Sequence, residues 1–208
     1  MFKTIVKYVQ AEIVEKKSKF IANIFYVETV EEAEEKVKEI KKKYFDARHN
    51  CFAYSVFTKD GIVNRFSDDG EPSGTAGGPM LNILNSKELT NLVVIVTRYF
   101  GGILLGTGGL IRAYTGATQE ALAQIKEVTK DLGLEVVLTT TYPDLEKMKY
   151  YLKQNEIEVT NVEYNEEVLV YVDITQTKYD KLLEVSEKYE LNFALNRTEI
   201  IKEKYIVI

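Results

Sequence analysis

Eleven of the twelve glycines in this 208-residue chain fall between Gly61 and Gly116, and the twelfth, Gly133, stands alone. An interior glycine weakens a helix or strand by roughly 0.5–1 kcal/mol relative to alanine. Runs such as RFSDDGEPSGTAGGPML (65–81) and VTRYFGGILLGTGGLIRAY (96–114) therefore belong where backbone turns sharply, approaches another segment closely, or presents its N–H groups. Glycine-poor sequence follows, and the charge balance changes with it. Residues before Leu134 carry 18 basic and 17 acidic side chains, net +1, while those from Leu134 onward carry 9 and 15, net −6. Gly133 thus marks the expected boundary between domains at 1–133 and 134–208, and no Pro/Gly/Ser tract follows it to form a long linker.

Periodicity supplies the elements. Residues 2–9 and 20–27 read as strands rich in Ile, Val, Phe and Tyr. Thr29 and Glu32 have capping-box spacing, and Val30, Ala33, Val37, Ile40 and Tyr44 recur at steps of three and four, so a helix follows. Its acidic start (Glu31, Glu32, Glu34, Glu35) and basic end (Lys41 to Lys43) suit the helix dipole, which gives the lysine run an ordinary explanation. Residues 51–58 and 62–66 flank Lys59-Asp60-Gly61 as a hairpin. The apolar run 92–99 reads as a buried central strand, and Leu110, Tyr114, Ala117, Ala121 and Ile125 as the stripe of a helix packed on it. The second half alternates strand 134–141, helix 144–154, strands 157–164 and 168–174, helix 178–189 and strand 198–208. This βαββαβ order closes as a ferredoxin-like sandwich, making the whole chain α+β.

Composition excludes several chemistries. One cysteine (Cys51) and one histidine (His49) exclude a disulfide framework and multi-cysteine or multi-histidine zinc sites. No apolar run approaches a membrane span and no signal peptide opens the chain, so a cytoplasmic protein is expected. A net charge of −5 leaves any nucleic-acid binding to a local surface.

Gly101, Gly102, Gly106, Gly108 and Gly109 sit between the buried strand and a helix, where free N–H groups can meet an anion. Thr107 adds a hydroxyl, Arg98 ends the strand, and Arg112 is placed on the helix's first turn. With Arg65, Ser73 and Thr75 these make the candidate anion- or nucleic-acid-binding set. Neither the P-loop nor the dinucleotide fingerprint fits, since Thr107 replaces the P-loop lysine and Ile111 the third glycine. The same glycines equally serve a tight turn with no ligand, and both readings stand. His49, Asp68, Asp69 and Glu71 form a further polar group that offers a cation site or an acid or base, while their composition also suits a solvated turn. Ser73, between Pro72 and Gly74, is not a nucleophile elbow. No catalytic residue, metal or cofactor is assigned.

The two glycine-rich blocks resemble the signature blocks of the Impact family, in its two-domain, YigZ-type bacterial branch, and the resemblance extends over the whole chain. It implies an N-terminal domain like domain 2 of ribosomal protein S5 and a C-terminal domain like the last domain of elongation factor G. By that analogy the expected function is a translation-associated role, binding RNA or a ribosome-associated partner through the glycine-rich face. An enzyme acting on a small phosphorylated or anionic substrate, with Arg98, Arg112 and the 106–109 loop as clamp and Asp68 or Asp69 as base, is the alternative. A protein-interaction module is a third. The kinase-restraining role of eukaryotic members rests on an additional N-terminal domain and is not expected here, nor is the dipeptidase chemistry ascribed to some bacterial relatives.

Overall fold

The computed structural model describes residues 1–188 and 190–208. Two compact units emerge, Phe2–Thr129 and Lys130–Ile208 with Met1.

In the first unit, a short β1 (Phe2–Ile5) precedes β2 (Val9–Glu15), β3 (Ser18–Tyr26), α1 (Val30–Lys43), β4 (His49–Thr58), β5 (Gly61–Ser67), α2 (Gly77–Ser86), β6 (Leu92–Tyr99) and α3 (Gly106–Leu122). Strands β2 to β6, without β1, form an antiparallel sheet in the order β2-β3-β6-β4-β5. Side chains alternate across a strand, so the central β6 feeds two cores. Leu92, Val94 and Val96 pack with Met80 and Leu84 of α2 and with Leu110, Tyr114 and Ala117 of α3. Val93 and Ile95 pack with Ala33, Val37 and Ile40 of α1. Burial on both faces is why β6 reads as unbroken apolar sequence rather than alternation. Thr29 caps α1 by accepting from the Glu32 N–H, and the Glu32 carboxylate reaches back to the Glu28 N–H at 2.7 Å.

Two elements depart from the sequence expectation. The strand expected at 2–9 is broken, and β2 begins at Val9 and pairs with β3 through Glu15↔Ser18. Its turn uses Lys16 and Lys17 at φ 45° and 67°, left-handed positions usually signalled by Gly or Asn. Lysine hid that turn. The helix α2 was also unforeseen, because Gly77, Gly78 and Pro79 occupy its start and mask the periodicity of Met80, Leu81, Ile83 and Leu84.

The second unit holds β7 (Glu127–Thr140, which runs through the division), α4 (Leu145–Gln154), β8 (Glu158–Tyr164), β9 (Val168–Thr175), α5 (Gln176–Glu187) and β10 (Arg197–Val207). The antiparallel order β10-β7-β9-β8 is the ferredoxin-like arrangement. Val136, Leu138, Val170, Val172 and Ile174 face Met148 and Leu152 of α4 and Tyr179 and Leu182 of α5. Tyr189, the expected end of the second helix, lies outside the described residues. Gly133 is mid-strand in β7, where a Cβ would stand 2.5 Å from Ile206 Cδ1 and 2.9 Å from Ile174 O. Close packing accounts for this glycine. No helix among the described residues is long and apolar enough to cross a membrane.

Candidate functional site

The glycine-rich blocks meet at one end of the first unit, where β6 ends, β4 begins and the β2–β3 turn closes. Register sets a row of side chains there, because Arg98 lies opposite both Phe20 and His49. Gly101 explains the convergence. A Cβ at this position would overlap the Lys17 carbonyl, and the Gly101 N–H donates to Ser18 Oγ at 3.1 Å, so the glycine loop rests on the hairpin tip.

The loop after β5 is held by its own carboxylates. Asp68 Oδ2 accepts from the Gly74 N–H at 2.8 Å, and Oδ1 accepts from the N–H groups of Ala76 and Gly77 at 3.0 and 2.9 Å. Asp68 is therefore the N-terminal anchor of α2, a negative charge at the positive end of a helix. Asp69 accepts from the Asn50 N–H at 2.7 Å and from Lys41 at 2.6 Å, and its carbonyl meets His49 Nδ1 at 2.8 Å. Glu71 is buried, and its Oε1 takes Arg98 Nη1 at 2.7 Å and the Tyr114 hydroxyl at 2.8 Å. The Arg98 guanidinium also lies between the rings of Phe20 and Phe100, at 5.5 and 5.6 Å. Each of these carboxylates thus already accepts two or three bonds from its own fold.

The remaining candidates scatter. Arg65 pairs with Glu34 of α1 at 3.1 Å, on the sheet face that packs α1. Ser73 is exposed, and Thr75 is buried with its hydroxyl donating to Pro72 O at 2.6 Å. Gly106 starts α3 at φ +71°, and its preceding residue, Leu105, offers no side-chain cap, so Gly106, Thr107 and Gly108 lie exposed at an uncapped helix start while Gly109 is buried. Arg112 falls in the second turn instead of the first, exposed, with Nη1 3.6 Å from the point where a Gly108 Cβ would stand. Arg98 and Arg112 thus differ in kind, one a buried ion pair and the other a surface cation.

Sequence reasoning named His49 and Arg98 here but missed Arg48, Phe100 and Leu104. Arg48, His49, Arg98, Phe100 and Leu104 line a cavity of about 180 Å3. Phe100 is half-exposed, Leu104 is 83% exposed, and Phe45 on the neighbouring loop is 84% exposed. Large apolar side chains inside a glycine loop, with no helix or strand period to bury them, were the available signal. Beneath them Cys51 is buried and donates to Asp68 O at 2.9 Å. Burial pushes its thiol up to about 12, so it is no nucleophile at neutral pH.

Residues 16–122, which contain both glycine blocks, match the Impact N-terminal domain. The chain belongs to the Impact family. Residues 138–184 match a second family domain, described only as a domain of unknown function (DUF1949). Among curated relatives, IMPACT family member YvyE of Bacillus subtilis is 43% identical over 157 residues, covering 76% of this chain and 72% of that protein. IMPACT family member YigZ of Escherichia coli is 38% identical over 164 residues, covering 78% and 80%. A crystal structure described as a hypothetical protein aligns with a TM-score of 0.64 at 31% identity, covering all of this chain and 97% of the other. The two glycine-rich blocks inside that match build the α2 anchor and the Glu71–Arg98 pair and, with Arg48 and His49, the cavity.

Proposed function

We propose that this Impact-family chain is a translation-associated protein that binds RNA through the glycine-rich end of its first unit. One observation carries the reading. Asp69 and Glu71 are paired with Lys41 and Arg98, Asp68 is held by three backbone N–H groups, and Asp46 accepts from the Tyr99 hydroxyl at 2.7 Å. The side chains of Lys16, Lys17, Arg48 and Arg112 have neither hydrogen bond nor ion pair among the described residues. Beyond the pairs Lys41–Asp69 and Arg98–Glu71, this end therefore presents four unpaired cations on a chain of net charge −5. Exposed Phe45 and Phe100 interleave with those cations, the combination that single-stranded nucleic acid needs for backbone and base contacts. The uncapped N–H groups of α3 add a site for one phosphate. The two fold types are also those that the family resemblance links to the translation machinery. A free-phosphate clamp built on Arg98 is less well supported, because Glu71 already neutralises that guanidinium.

Fluorescence anisotropy with a labelled single-stranded RNA tests the reading. Affinity should fall with salt with a logarithmic slope of about −2 to −3, since each neutralised phosphate contributes about −0.7. Arg48→Ala and Arg112→Ala should each shallow that slope by about 0.7 without lowering the melting temperature. Failure to bind RNA even at low salt refutes it.

A further inference from the structure

We propose that the cavity lined by Arg48, His49, Arg98, Phe100 and Leu104 receives one unstacked nucleobase of a single-stranded RNA. The proposal rests on the RNA-binding reading and names what that surface recognises. At about 180 Å3 the cavity is smaller than the roughly 300–1,000 Å3 of sites for drug-sized ligands, so it suits a single ring system.

Its polar groups select the chemistry. Arg98 gives Nη1 to Glu71, and its Nε–H is buried with no partner, although the side chain is only 8% exposed. Buried donors in native proteins are normally bonded to protein, water or ligand. Because Glu71 supplies the counter-charge, the unmet demand is for a neutral acceptor and not for an anion. His49 supplies the complementary group. Its Nδ1 meets the Asp69 carbonyl, which can only accept, so Nδ1 carries the hydrogen and Nε2 of the neutral ring is left as an acceptor. His49 and Arg98 are direct partners across β4 and β6 and both line the cavity, so a base held there has both residues as neighbours. Adjacent donors and acceptors on a flat apolar ring are the character of a nucleobase edge.

The walls fit the same ligand. Phe100 presents a half-exposed ring and Leu104 an almost fully exposed side chain, giving a base apolar faces to stack against. At the rim Arg48, one residue before His49, has no acidic partner among the described residues and meets the phosphate that follows the base. A fatty-acyl ligand would leave the Arg98 donor unmet, and a free phosphate would meet an already neutralised guanidinium.

The test compares two labelled RNAs of identical length, one with bases and one fully abasic, on the wild-type protein, Phe100→Ala and Leu104→Ala. The base-bearing RNA should bind about tenfold tighter to wild type, and Phe100→Ala should remove most of that preference while affinity for the abasic strand stays unchanged. Leu104→Ala changes an 83% exposed side chain and should keep the melting temperature near wild type, while Phe100→Ala also removes the ring over Arg98 and should lower it by no more than a few degrees. Equal affinity of wild type for the two RNAs overturns the base pocket and leaves the RNA-binding reading standing; binding of neither overturns both. In the proton–nitrogen NMR spectrum, the Arg98 Nε–H resonance should shift on saturation with adenosine or uridine and stay in place with inorganic phosphate. The reverse pattern overturns the assignment of the cavity to a neutral base.

Discussion

Replacing Glu71 by Ala probes the interaction on which the candidate site is built. The two side chains of the Glu71–Arg98 pair are 3% and 8% exposed, at 2.7 Å, so solvent screens them little. Glu71→Ala leaves a buried guanidinium whose Nε–H is already unpartnered, and it strips the Tyr114 hydroxyl of its acceptor. Removing one partner of a buried pair costs about 3–5 kcal/mol, mostly the penalty of the charge left behind. The orphaned hydroxyl alone costs about 1–3 kcal/mol, and the two terms overlap because both groups share Oε1. We expect a loss of about 4 kcal/mol by urea denaturation, equivalent to a melting temperature lower by roughly 10–20 °C. Glu71→Gln keeps an oxygen for Tyr114 and should lose less. The double variant Glu71→Leu with Arg98→Met removes both charges and should recover at least half of the loss, since apolar replacements of a buried pair are often nearly neutral. A cost below about 1 kcal/mol for Glu71→Ala, or a double variant no more stable than the single, would refute this reasoning.

The other expectations follow from the same end of the molecule. Asp68→Ala removes three N–H contacts at the start of α2 and should destabilise by about 2 kcal/mol, with Asp68→Asn retaining part; equal stability of all three proteins in urea would rule out the anchor role. Gly101→Ala places a Cβ into the Lys17 backbone and should cost more than about 3 kcal/mol. Gly108→Ala brings a Cβ only into ordinary contact with Arg112 Nη1, at 3.6 Å, without a left-handed φ, and should leave stability equal or up to about 1 kcal/mol higher, a contrast that thermal scanning resolves. Cys51 ionises near 12 when folded because of burial, against about 8.5 for a free thiol, so the unfolded chain loses its proton first as pH rises. Stability should therefore decline above about pH 8.5, on the order of 3 kcal/mol by pH 11 from this group, and Cys51→Ala should flatten the decline measured by denaturation at each pH. Tyr114, raised by burial, and Tyr99, raised by its bond to Asp46, add to the alkaline slope in the same direction.

Elements with a strong local period were legible without coordinates. Helix α1 announced itself through its cap, its stripe and its charge gradient, and the βαββαβ unit through the alternation of Val168 to Ile174. The hairpin at Lys16-Lys17 and the helix behind Gly77-Gly78-Pro79 were not, because their conformations run against residue preference and are imposed by neighbours: Lys17 packs under Gly101, and Asp68 holds the start of α2. The candidate site divides in the same way. The convergence of Arg98 with the glycine loops was readable from the position of the strand end, whereas the Glu71–Arg98 bond, 27 residues apart, was not.

Sequence alone determined which segments are buried, where backbone must be unusually free, and that the chain has the blocks of the Impact family, since these depend on side-chain type and spacing within a dozen residues. Tertiary structure decided which charges remain available. Asp68, Asp69, Glu71 and Arg98 look alike in the sequence as potential ligands, but their chemistry is set by partners brought from other elements through the register of β4, β6 and β3. A carboxylate or guanidinium has the same composition free or paired. Only its buried distances, 2.7 Å to Glu71 for Arg98 and none to any acid for Arg48 or Arg112 among the described residues, separate a structural charge from one left for a ligand.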